Sequence, residues 1–188
     1  PTGTGKTLTI ISTLMANYEN DMYSFVKMSM TAQTTANFTQ EIIEKKLQKS
    51  YRKFSPHGWK KGVIFVDDLN MPQKEKYGAQ PPIELLRQWM DFGGWYDLLS
   101  DTKDFVNVID ISFLASMGSI ASGRTVTSRY LRHFLIHYAD TYSKETMNKI
   151  YTNIVQWFFI RTKQPSFTDA IVKFKDQLIN ATVQMYQE

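Results

Sequence analysis

The sequence has no cysteine, which excludes a disulfide framework and any Cys/His nucleophilic pair, and is compatible with a reducing compartment. It also lacks a long apolar run. The longest, such as 154–160, falls far short of the about 20 residues that a bilayer-crossing helix needs. No membrane is therefore expected as a partner, and no internal repeat or low-complexity segment is seen. Histidine is scarce: His133 and His137 stand four apart, but the intervening Phe134, Leu135 and Ile136 leave out the glutamate of a zinc-protease helix. Neither charge sign dominates. Lys and Arg number 22 against 18 Asp and Glu, a net charge of +4, too mild to argue for nucleic acid. Lys45, Lys46, Lys49, Arg52, Lys53, Lys60 and Lys61 crowd one stretch, which a solvated helix face and loop explain. With 43% hydrophobic and 21% charged residues over 188 positions, the composition is that of one globular domain with room for a small appendage.

Against that background the first residues stand out: Pro1-Thr2-Gly3-Thr4-Gly5-Lys6-Thr7-Leu8. The phosphate-binding loop reads G-x-x-x-x-G-K-[ST], and its first glycine would fall one position before Pro1. The chain is therefore expected to be a piece of something longer. Glycines let backbone N–H groups close around phosphate oxygens, and the helix that follows directs its positive end at the same anion. Gly3, Thr4, Gly5, Lys6, Thr7 and Leu8 are the expected nucleotide-binding residues, for ATP or ADP. Lys6 would reach the terminal phosphates, and Thr7 would ligate Mg²⁺.

A second element supports the first. Gly62-Val63-Ile64-Phe65-Val66-Asp67-Asp68 is a short apolar strand ending in two acids, expected to be buried on both faces of a parallel sheet. In P-loop NTPases such a strand lies near the loop, and its terminal aspartate, here Asp67, holds Mg²⁺ through water. The second acid of such pairs is usually glutamate, the base that orients the attacking water. Asp68 is one methylene shorter, which should spare binding more than turnover. Tight binding with slow hydrolysis is the expectation.

The remaining pattern is α/β. A helix leaves the loop over 7–18, with Leu8, Ile11 and Met15 on one face, and a strand follows over 23–30. Ile43, Leu47, Tyr51 and Phe54 predict a long helix over 34–54, broken by Pro56-His57-Gly58. Pro81-Pro82 starts a helix that stops at Gly93-Gly94. A strand is predicted over 106–117, a short helix over 127–133 and a last strand over 134–139. From Asp140 only helices follow. Ser143 caps one bearing Met147, Ile150, Ile154 and Phe158, and after Pro165 a second carries Ile171, Phe174, Leu178, Ala181 and Met185. Both stripes read as a helix–helix core. Trp89, Trp95, Tyr96, Trp157 and Phe158 read as packing residues. Arg124, Arg129 and Arg132 follow the last long strand, where an arginine can stabilise charge on a phosphoryl group bound by a neighbour, or simply form an ion pair.

Val63-Ile64-Phe65-Val66-Asp67-Asp68-Leu69-Asn70-Met71-Pro72, then Tyr77-Gly78-Ala79-Gln80-Pro81-Pro82-Ile83-Glu84-Leu85-Leu86-Arg87-Gln88, and later Thr127-Ser128-Arg129-Tyr130-Leu131-Arg132-His133-Phe134, resemble the third AAA+ module of axonemal dynein heavy chains, of outer-arm-like type. The resemblance covers nearly the whole chain. It implies a P-loop NTPase (AAA+) fold: a parallel-sheet core sandwiched by helices over 1–140, its first strand missing, then a partial helical lid over 141–188. It implies a ring of six modules that drives motion along microtubules, with the third acting as a nucleotide-dependent gate. Implied partners are neighbouring AAA+ modules of the same heavy chain and, through the parent protein, intermediate and light chains and microtubules, in the cytoskeleton of the ciliary axoneme. Asp68, with Arg129 or Arg132 as a finger toward the preceding module, would carry the catalytic roles, and Thr7 and Asp67 the metal. Departures exist. Gly118 stands where many AAA+ proteins place a phosphate-sensing asparagine, with Ser116 and Ser119 as the nearby hydroxyls. The alternatives are a ring spacer without useful turnover and a nucleic-acid-dependent AAA+ ATPase. Without its central strand, an isolated chain is expected to be unstable or prone to aggregate.

Overall fold

Strand β4 (Lys61–Asp67) sets the frame. In this computed structural model, which describes residues 3–18, 22–118, 124–161 and 173–187, β4 lies between two parallel neighbours. These are β1 (Tyr23–Ser29) and β7 (Ile111–Ala115). Pro1, Thr2, Ser119, Pro165 and Ile171 lie outside the described residues. Every residue of β4 after Lys61 is buried. Alternate side chains serve opposite faces, as the period of two requires. Val63 and Phe65 pack with Leu14, Ile10 and Ile11 of helix α1 (Lys6–Tyr18). Ile64 and Val66 face the other way, onto Ile43 of α2 (Ala36–Glu44) and Ile83, Leu86 and Trp89 of α3 (Pro81–Phe92). Full burial of each such side chain contributes about 1.5–3 kcal/mol. The sheet is thus covered by helices on both sides. Leu8, expected on the inner face of α1, is instead exposed; it lies roughly 240° around the helix from Leu14.

Three further expectations are corrected. Helix α2 ends at Glu44, and 48–55 forms a hairpin of β2 (Gln48–Ser50) and β3 (Lys53–Ser55) turning through Arg52 at φ 55°. Ile43, Leu47 and Phe54 are all buried, but the hairpin brings them together, and Tyr51 stays in solvent. The predicted strand over 106–117 is two strands, broken where Asp110 takes a φ of 58°. Its first part, β6 (Phe105–Val108), joins a second sheet of order β2-β3-β6-β5, with β5 (Gly94–Tyr96) antiparallel to it. Its second part is β7. Residues 134–139 form no strand. Phe134 packs edge-on against Tyr130 at 5.0 Å and Phe113 at 5.6 Å instead of pairing its backbone. Just before it lies α4 (Ser128–Leu131), capped by the Thr127 side chain.

The second sheet is locked to the helices by indoles. Trp95 Nε1 donates to Glu44 Oε1 at 2.8 Å, and Trp89 Nε1 donates to the Val108 carbonyl at 3.2 Å. Their rings meet edge to face at 5.6 Å. Tyr96, by contrast, is half exposed.

The chain divides into two compact units, Pro1–Ala139 and Asp140–Glu188. In the second, α5 (Lys144–Arg161) packs on α6 (Lys175–Gln187). Ser143 Oγ accepts the Thr146 N–H at 3.2 Å, as a cap should. The expected stripes are only partly buried. Met147 is buried, but Ile154, Trp157 and Phe158 are exposed. On α6 the buried pair is Ile179 and Val183, one position on from the predicted Leu178, and Ala181 is exposed. A shift of one residue turns a helix face by about 100°.

Gly94 gives a direct test of the second sheet. A Cβ there would sit 2.1 Å from the Val106 carbonyl oxygen. Gly94→Ala is expected to cost about 1–3 kcal/mol, read as a lower urea midpoint, because β5 and β6 must part to admit the methyl.

Candidate nucleotide site

The loop before α1 is shaped by Gly3 at φ 78° and Gly5 at φ 67°, values that side chains resist and glycine takes freely. These turns bring the loop into α1, whose first bond runs from the Thr9 N–H to the Gly5 carbonyl at 2.9 Å. The N–H groups at the start of α1 and the helix dipole favour an anion at this end. Lys6 Nζ donates to Thr4 Oγ1 at 3.1 Å.

Thr7, in the first turn of α1, faces β4. Its hydroxyl donates to Asp67 Oδ1 at 2.8 Å. The Ser116 hydroxyl, from just past β7, donates to the same oxygen. The carbonyl of Asp67 accepts the Met30 N–H at 2.9 Å. The helix after the loop and the end of β7 therefore meet at one buried carboxylate at the end of the central strand, while the residue after β1 bonds the backbone of the same aspartate. Thr7 and Asp67 present hard oxygen donors side by side. That fits Mg²⁺, which takes one or two protein ligands and completes its octahedron with water and phosphate oxygens. The described residues hold no cluster of three or more His, Cys, Asp or Glu suited to a metal cage.

Asp68 is exposed and takes a φ of 55°, with its carbonyl accepting the Met71 N–H at 2.9 Å. Aspartate tolerates this left-handed turn better than most residues. Two positions near it carry structure that sequence reasoning missed. Asn70 is buried; its Nδ2 donates to the Arg124 carbonyl at 3.1 Å, and its Oδ1 accepts the Gly118 N–H at 3.3 Å. Gln80, also buried, donates to the Pro72 carbonyl at 2.8 Å. Both lie within the family-like block, but a single amide carries no periodic signal. Ser116, considered as a phosphate-sensing hydroxyl, is turned to Asp67.

The three arginines are separated. Arg124 rests its guanidinium on the Met71 sulfur. Arg132 pairs with Asp91, which also receives Arg87 Nη1 at 2.7 Å and His133 Nε2 at 2.9 Å. Arg129 is exposed, and among the described residues it forms no ion pair. Tyr130 anchors the helix between them. It is fully buried, and burial pushes its hydroxyl pKa well above the usual value.

Elements, loop and acid pair together make a P-loop core, and comparison with known proteins agrees. The model of the P-loop containing dynein motor region matches residues 1–142. The chain belongs to this family. Its dynein relatives include dynein axonemal heavy chain 12 of Homo sapiens, 43% identical over 190 residues that span all of this chain and 6% of that protein. Dynein axonemal heavy chain 1 of Homo sapiens is 41% identical over 196 residues, covering 99% of the chain and 4% of that protein. Dynein axonemal heavy chain 3 of Homo sapiens is 38% identical over 190 residues, again covering 4% of its own length. The chain thus spans only a small part of the dynein relatives it matches. As a P-loop member of this family it has an AAA+ α/β core and a nucleotide site.

The Asp91 cluster yields a pH prediction. The hydrogen bond from Arg132, with further help from Arg87 and His133, holds the Asp91 carboxyl below its usual value despite partial desolvation. A lowered folded-state value means stabilisation that is present above about pH 4 and lost as pH falls through the folded value. Asp91→Asn should therefore lower the thermal midpoint at pH 7, and the gap should close as the solution is acidified below that window.

Proposed function

We propose that this chain is the third AAA+ module of an axonemal dynein heavy chain, binding ATP or ADP with Mg²⁺ and acting as a slowly hydrolysing gate. The observation that carries the reading is the Thr7–Asp67 contact beneath a glycine-shaped phosphate loop. Gly3, Thr4, Gly5 and Leu8 supply backbone to the phosphates, and Lys6 supplies charge. Thr7 and Asp67 hold the metal, which neutralises charge on the terminal phosphates. Asp68 is the water-orienting acid, one methylene short of the usual glutamate, and this is the ground for slow turnover. Arg129, exposed on α4, is the better placed finger toward a preceding module, since Arg132 would first have to leave Asp91.

The parent protein would place the module in a microtubule-based ciliary motor. Its partners would be the adjacent AAA+ modules, intermediate and light chains, and microtubules of the axoneme. Gly118, which has no side chain to sense a terminal phosphate, favours a second reading: a ring spacer without useful turnover.

The test uses the parent heavy chain with the lysines of its other phosphate loops replaced. Lys6→Ala is expected to weaken Mg·ATP binding at least about 100-fold, and Asp68→Glu to raise hydrolysis about tenfold, or roughly 1.4 kcal/mol of barrier. Unchanged turnover in Asp68→Glu would sink the slow-gate assignment. No binding at millimolar Mg·ATP would favour the spacer.

A further inference from the structure

Ser116 is buried just past β7, and both of its backbone polar groups are bonded. Its N–H donates to the Val66 carbonyl at 2.9 Å, and its carbonyl accepts the Leu69 N–H at 2.9 Å. The parallel register of β4 and β7 pairs Val66 with Ala115 and so delivers the next side chain to Asp67. Its hydroxyl position is set by the sheet itself.

That hydroxyl and the Thr7 hydroxyl donate to the same oxygen, Oδ1 of Asp67. A carboxylate oxygen has two lone-pair sites, so these two donors fill Oδ1. The other oxygen, Oδ2, is left to accept from the water shell of a metal ion. A hydroxyl has one proton and two lone pairs, so Thr7 can keep its bond to Asp67 and still present an oxygen to Mg²⁺. Ser116 touches neither nucleotide nor metal in this arrangement. It fixes the rotation of the carboxylate between them.

We infer that Ser116 is a positioning residue for the metal-binding carboxylate, setting the Mg²⁺-dependent part of nucleotide affinity while the phosphate loop sets the rest. The inference rests on the nucleotide and Mg²⁺ reading of the Thr7–Asp67 site. Partners of this kind, one bond removed from a metal, commonly change metal affinity by 10–100-fold when lost. One neighbouring fact sharpens the assignment. Gly118 offers no side chain to the site. Ser116 is therefore the hydroxyl that the end of β7 contributes to the metal carboxylate.

The experiment is a titration of the full-length protein, its other phosphate-loop lysines replaced, with a fluorescent ADP analogue. Binding is measured in EDTA and then against rising Mg²⁺. Ser116→Ala is expected to move the Mg²⁺ midpoint about tenfold higher, while affinity in EDTA stays within about twofold. Ser116→Thr, which keeps the hydroxyl, is expected to stay within about threefold of the unmodified midpoint. A Ser116→Ala protein with unmodified Mg²⁺ dependence overturns the inference. So does an equal loss in EDTA and in Mg²⁺, the mark of a merely structural serine, and so does a Ser116→Thr shift as large as that of alanine. If the unmodified protein binds the analogue but gains nothing from Mg²⁺, the metal reading fails and this inference with it. If it binds nothing in either solution, the nucleotide reading itself is at fault.

Discussion

A single buried carboxylate, that of Asp67, is the constraint on which the rest of the core depends. It sits where β4 leaves the sheet, and β4 is the middle strand of the parallel three-stranded sheet β1-β4-β7. An unpartnered carboxylate at this depth would pay a heavy desolvation penalty. Thr7 and Ser116 supply the partners, and hydrogen bonds to a charged group are each worth about 1.5–3 kcal/mol net. The same contacts fix the phosphate loop to the strand ends. Residues distant in sequence are thereby held at one point. A change that loosened β4 on its Phe65 face, which packs on α1, would be felt at Thr7.

What could be read from the sequence follows from how local each signal was. The apolar run ending in Asp67 states its own burial, because a strand covered on both faces needs no alternation. Pro81-Pro82 and Gly93 mark the ends of α3 by backbone chemistry alone, and the loop glycines do the same for the phosphate site. The errors arise where tertiary packing mimics a local period. Ile43, Leu47 and Phe54 are spaced as on a helix, yet a hairpin turned at Arg52 buries all three. The run over 106–117 is β-forming throughout, and only the left-handed turn at Asp110 divides it between two sheets. Ser116 and Asn70 lay deeper still. Their roles depend on which strand lies beside which, and a lone hydroxyl or amide in a sequence says nothing of its neighbour.

Electrostatics separates the arginines that sequence alone left equivalent. Arg132, capping the C-terminal end of α4, and Arg87 of α3 close on Asp91, so that ion cluster fastens the short α4 to the longer helix. A four-residue helix has little intrinsic stability, and the buried Tyr130 ring with this cluster accounts for its order. Using Arg132 on a phosphate would trade one partner for another, with the net gain set by the difference between them. Arg129 has no such competing bond among the described residues. It sits on α4, which Tyr130 and the Arg132–Asp91 pair hold in place, while its own side chain stays exposed.

The two acids at the end of β4 divide the labour that the proposed gate requires. Asp67 is buried and held from two sides, so the groups proposed to retain nucleotide and metal are pre-arranged. Asp68, the next residue, is exposed, and its φ of 55° turns the backbone out of the strand direction. Among the described residues nothing comparable fixes its carboxylate: its backbone carbonyl closes a turn with Met71, and the loop beyond is clamped by Asn70 to Gly118 and Arg124. Holding needs pre-set groups at the phosphates, whereas cleavage also needs an acid within hydrogen-bond reach of the attacking water. In the proposed gate the first condition is built into the sheet and the second is left to a short, exposed side chain, and this difference at one strand end is the ground for proposing retention over turnover.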